Sequence, residues 1–144
     1  MRMAKDNRLR DIVDALPLRE NIRILEIGCG PGAMARDMAN RINSGFVLAI
    51  DRSQKAIDQA IAGSQAEITT GKLAFRKADA HDFSLDPGEE PFDFAVAIRV
   101  GALDGRHPEL EAESHRCIAA ALKPGGKLYI DGGHPLREIP LMRD

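Results

Sequence analysis

Two acids flank a glycine turn in this chain, and their spacing suggests a chemistry. Leu25-Glu26-Ile27-Gly28-Cys29-Gly30-Pro31-Gly32 carries an apolar strand into a turn with three glycines. Nineteen residues past Gly32 comes Asp51, at the end of Phe46-Val47-Leu48-Ala49-Ile50. Glycine admits positive φ and lets backbone lie close to a ligand. In a βαβ unit, an acid ending the second strand meets a ribose diol. The pairing therefore implies an adenosine-containing cofactor, with Asp51 as the ribose acceptor. The Gly-x-Gly-x-Gly spacing is not the dinucleotide Gly-x-Gly-x-x-Gly, although Ala33 stands where the last glycine of that pattern would be.

These residues need strands and helices to place them. Leu9, Ile12, Val13 and Leu16 recur at helical spacing, so residues 4–16 are expected to form an amphipathic helix ended by Pro17. Strands are expected at 22–27, 45–50, 72–77, 92–98 and 127–131. Helices carry Ala35, Met38, Ala39 and Ile42; then Ile57, Ala60 and Ile61; then Leu110, Cys117, Ile118, Ala121 and Leu122. Ser53 is placed to cap the second of these, and Lys123-Pro124-Gly125-Gly126 to stop the third. Residues 81–91, with three prolines or glycines, read as loop. Strands alternating with helices imply an α/β fold. It is a Rossmann-like doubly wound parallel sheet of order 3-2-1-4-5, in one domain over 1–144. Gly28, Asp51, Asp79, Arg99 and Asp131 all then fall at the carboxyl ends of strands.

Composition narrows the partners. Lys plus Arg number 20 and Asp plus Glu 22, giving a net charge of −2, which disfavours a nucleic-acid binder. Aromatic residues are 4% and tryptophan is absent, so no stacking platform for bases is expected. No apolar run approaches the roughly 18–20 residues that span a bilayer, and residues 1–10 lack a signal-peptide core. Cys29 and Cys117 form no CxxC pair. A reduced, cytoplasmic chain without metal or membrane is the expectation.

Four segments in order, covering 22–131, resemble the class I S-adenosylmethionine-dependent methyltransferases. They are the Leu25–Gly32 turn, Ala49-Ile50-Asp51-Arg52-Ser53, Lys77-Ala78-Asp79-Ala80-His81-Asp82-Phe83, and Leu122-Lys123-Pro124-Gly125-Gly126-Lys127-Leu128. Pro91-Phe92-Asp93-Phe94-Ala95-Val96 also fits the family's entry to its fourth strand. The resemblance implies S-adenosylmethionine as cofactor and S-adenosylhomocysteine as product. Gly28, Gly30 and Gly32 would form the turn against the methionine part, and Glu26 would face its amino group. Asp51 would hold the ribose, and Arg52 would lie along the adenine. Asp79 and the Ala80 N–H would meet the adenine edge, and Ile98 and Arg99 would stand beside the transferable methyl.

The acceptor is not legible, and a small molecule is the default expectation. If the acceptor must lose a proton, His107 after the fourth strand or His134 after the fifth is the candidate. Arg99 and Arg106 could draw an anionic substrate to the rim. His81 is expected to serve structure, and His115 to sit on a helix surface. Only thirteen residues follow Asp131, so the family's C-terminal β-hairpin is expected to be missing. The edge of the fifth strand would then be covered by a folded-back tail at 136–142, by a second copy in a homodimer, or by a partner subunit. A non-catalytic module binding the cofactor or its product, and a nicotinamide-dependent oxidoreductase, are the alternative readings.

Overall fold

In a computed structural model, residues 2–141 are described, with side chains from Asn7 onward. Helix α1 (Arg2–Ala15) precedes β1 (Ile22–Ile27), α2 (Ala33–Arg41), β2 (Gly45–Asp51), α3 (Gln54–Ala62), α4 (Gln65–Thr69) and β3 (Leu73–Lys77). A helix-free crossover leads to β4 (Phe92–Ala97). A 3-10 turn at Pro108–Leu110, α5 (Glu111–Ala121), β5 (Leu122–Asp131) and β6 (Leu136–Ile139) complete the order. The single sheet runs β3-β2-β1-β4-β5-β6. Its first five strands are parallel, and β6 is antiparallel to β5.

Period-two alternation sorts each strand between two apolar layers. Ile22 and Ile24 of β1 pack with Ile12 and Val13 of α1 and Met34 and Met38 of α2. Leu25 and Ile27 turn to the other face and meet Phe83 of the crossover and Ile118 of α5. Burial on both faces explains why the inner strands read as near-continuous apolar runs. The Ser53 hydroxyl caps α3 by accepting from the Ala56 N–H at 3.1 Å, as the sequence implied. Among the described residues, no helix is long and apolar enough to cross a membrane.

Three expectations need correction. The sheet does not end at the fifth strand: β6 folds back and pairs Leu128 with Ile139 and Asp131 with Leu136. The tail itself therefore takes the edge that a homodimer or partner subunit was invoked to cover, and the reason for invoking one lapses. Lys123-Pro124-Gly125-Gly126 is not only a helix stop. Leu122 already pairs with Phe92, and the register jumps to Phe94 with Lys127, so the four residues form an excursion within β5. His115 is buried at 3% exposure rather than on the surface. It shares the inward face of α5 with Ile118, three positions on.

Candidate cofactor site

The cleft opens at the carboxyl edge of the sheet, where β1 and β4 part and the strand order reverses. Gly28, Gly30 and Gly32 stand at φ +76°, +53° and +94°. The Gly28 and Cys29 N–H groups both donate to the Ile50 carbonyl, at 2.9 and 3.0 Å, which ties the turn to the end of β2. The three glycines serve different ends. A Cβ on Gly28 would stand 2.8 Å from Val100 Cγ2, and one on Gly32 would stand 3.1 Å from the Phe75 ring and 3.2 Å from Ala60. Those two permit close packing of the loop after β4 and of α2. A Cβ on Gly30 meets nothing within 4 Å, so Gly30 faces open space.

Two cavities flank this turn. The smaller, about 180 Å³, is lined by Glu26, Cys29, Gly30, Met34 and Ile98, with Arg8 and Leu9 reaching in from α1. Glu26 has the strand parity of Ile22 and Ile24, so the pleat itself drives its carboxylate toward the apolar layer. It is only 3% exposed. Its Oε1 has no hydrogen-bond partner. Burial, and then the nearby Asp51 charge, lift its pKa from an ordinary 4.5 to about 8, against a smaller opposing effect of Arg36. Burial, with the Glu26 and Asp51 charges, likewise pushes the Cys29 thiol up, so it stays protonated and is no nucleophile.

The larger cavity, about 330 Å³, lies across the turn and is lined by Asp51, Arg52, Asp79, Ala80 and His81 on one side. Arg99, Val100, Gly101, Arg106, His107 and Leu110 line the other. Asp51 is fixed by two backbone donors: the Gly30 N–H to Oδ2 at 2.9 Å and the Ser53 N–H to Oδ1 at 2.9 Å. Each oxygen keeps lone pairs for a further donor. The carboxylate thus orders the glycine turn and the start of α3 besides facing the cavity. Arg52 is exposed at the rim.

Most residues singled out from sequence meet here. Glu26, Gly28, Gly30, Asp51, Arg52, Asp79, Ala80, Ile98 and Arg99 line one or both cavities. Gly32 lines neither cavity and acts through packing. Of the histidines, His107 lines the larger cavity, with Nδ1 3.4 Å from Glu109 Oε1. His134 lines neither cavity. His81, assigned to structure, also lines the larger cavity. Arg8 and Leu9 were missed: the spacing of Leu9 was read as core packing alone, and nothing in the sequence singled out Arg8. Asp79, His81 and Asp82 bring one donor atom each within 4.8 Å of one another. The Asp79 N–H already donates to Asp82 Oδ1 at 2.9 Å, which accounts for part of that clustering.

Comparison with known proteins bears on this cleft. A family profile described as a methyltransferase domain matches residues 24–126. A nocamycin O-methyltransferase of Saccharothrix syringae is 33% identical over 138 residues, covering 93% of this chain and 46% of that protein. The chain thus spans about half the length of that relative. Among solved structures, the cyclase SpnF superposes with a TM-score of 0.71 at 26% identity, covering 89% of this chain and 44% of the other. A SAM-dependent methyltransferase from Geobacter sulfurreducens, solved with S-adenosyl-L-homocysteine, gives a TM-score of 0.63 at 24% identity, over 86% of this chain and 47% of the other.

Proposed function

The chain belongs to the class I S-adenosylmethionine-dependent methyltransferase family, and on that premise we propose that it binds S-adenosylmethionine across the two cavities and methylates a small-molecule acceptor. The observation that carries this reading is Glu26, a buried carboxyl with an unpartnered Oε1 beside the glycine turn. A buried acid without a partner is costly, and an α-ammonium in the smaller cavity would satisfy it. Asp51 supports the same placement, since its spare lone pairs suit a vicinal ribose diol. Asp79 and Ala80 line the far side of the larger cavity, where an adenine edge would lie.

Bound there, S-adenosylmethionine supplies a methyl already activated on a sulfonium. The chain's own part is to align an acceptor and exclude water, which needs no strong base. Where the acceptor must shed a proton, His107, which lines the larger cavity, is the base this reading favours.

Calorimetric titration with S-adenosylmethionine, S-adenosylhomocysteine and NAD in parallel tests the reading. Micromolar binding of the first two and none of NAD is expected. An NAD signal equal to theirs, or silence with S-adenosylhomocysteine, defeats it.

A further inference from the structure

Arg99, two residues past the end of β4, stands in a backbone conformation that only glycine adopts freely, at φ +58°. The fold holds it there from both sides. Its N–H donates to Asp131 Oδ1 at 3.2 Å, and its carbonyl accepts from Arg106 Nη2 at 2.8 Å. Neither bond uses the Arg99 side chain, and Arg99, an exposed residue, lines both cavities. An observed backbone outlier at a ligand cleft, braced by charged neighbours, points to a placed side chain.

The surrounding charges sharpen the point. Arg8 is paired with Asp131 at 3.1 Å and Arg106 with Asp104 at 2.9 Å, while His107 stands beside Glu109. Among the described residues, no carboxylate forms an ion pair with the Arg99 guanidinium. Arg52 also lines the larger cavity, but from the β2 side. The β4 side of the mouth therefore presents one planar, unneutralised cation. A sulfonium seated nearby would repel it unless an anion lay between them. The guanidinium fork matches a carboxylate in two parallel hydrogen bonds.

Building on the function proposed above, we propose that Arg99 anchors an anionic group of the methyl acceptor, and that the acceptor is a small organic acid. The cofactor's own α-carboxylate is the rival partner of the same chemistry, and the test separates the two.

Protein loaded with S-adenosylhomocysteine is titrated with benzoate and with its neutral isostere benzamide. Benzoate is expected to bind, and benzamide to bind about tenfold more weakly or worse. Arg99→Asn and Arg99→Gly both accept left-handed backbone, so each removes the cation without forcing the turn. Both should weaken benzoate about tenfold, a loss several-fold larger than any they cause in S-adenosylhomocysteine affinity. Equal binding of the two probes, no benzoate binding at all, or variants that keep wild-type benzoate affinity overturns the proposal. A large loss of S-adenosylhomocysteine affinity in both variants also overturns it, by giving Arg99 to the cofactor carboxylate. Failure of S-adenosylhomocysteine to bind the wild type is seen before benzoate is added, and marks failure of the underlying function instead.

Discussion

At the scale of single residues, Glu26 sets stability against binding. Its pKa is raised from 4.5 unfolded to about 8 folded, so between those values the folded state holds a proton that the unfolded state has lost. Stability therefore falls as pH rises through this window and levels off above it. Glu26→Gln removes the linkage. It should match the wild type near pH 4.5 and exceed it at pH 8 by something on the order of 3–5 kcal/mol, read from urea midpoints at the two pH values. The same variant should lose cofactor affinity, and with it the rise in wild-type affinity from about pH 6 to 8 that ionisation of Glu26 implies. A Gln variant with wild-type affinity at every pH would remove Glu26 from the site. Asp51 works the other way, because it serves fold and ligand together. Asp51→Ala strands the Gly30 and Ser53 N–H groups, at roughly 1.5–3 kcal/mol per charge-assisted bond. Both the denaturation midpoint and S-adenosylhomocysteine affinity should drop; a stable variant with unchanged affinity contradicts both roles. Asp51's place at a strand end, facing the cleft, was legible in the sequence. Its structural role was not, since spacing does not reveal that the Gly30 and Ser53 amides point at its carboxylate.

At the scale of elements, the alternating β and α pattern was readable because long periodic segments carry their own signal. The β1 bounds and the Ser53 cap needed no tertiary information. The failures share a cause. Helix α4 is five residues with no buried side chain, so it lacks an apolar stripe to announce it. Strand β6 has four residues between Pro135 and Pro140, and prolines near a run argue against a central strand. They are tolerated here because β6 is the outermost strand. Its value lies in the edge it covers. Ending the chain at Asp131 would keep that carboxylate for Arg8 and Arg99 but bare the N–H and C=O groups of β5. The shortened chain is expected to lose stability and to associate as concentration rises. Light scattering over a dilution series, beside a urea titration, decides this: a monomer with the full-length midpoint would show that β6 protects nothing.

At the scale of the whole molecule, the site belongs to no single element. Glu26 comes from β1, Gly30 from the turn, Asp51 from β2, Asp79 from the crossover, Arg99 from the loop after β4, and Arg8 from α1. A ligand seated across them would cross-link segments that the sheet alone does not connect. It binds only the folded chain, so its stabilisation follows from mass action. At a free concentration of one hundred times Kd, S-adenosylhomocysteine should raise the unfolding free energy by about 2.7 kcal/mol. For a chain of 144 residues that corresponds to a melting shift of roughly 5–11 °C. The distribution of the effect discriminates more sharply than its size. Local openings cost less than global unfolding in segments with few buried contacts. Protection from hydrogen exchange should therefore rise most in the glycine turn, in residues 99–107 and around Arg8 and Leu9 of α1. The buried centres of β1 and β2, already limited by global unfolding, should gain only the global increment. Protection confined to the glycine turn would mean that the ligand engages one loop, and that the two cavities do not act as one site.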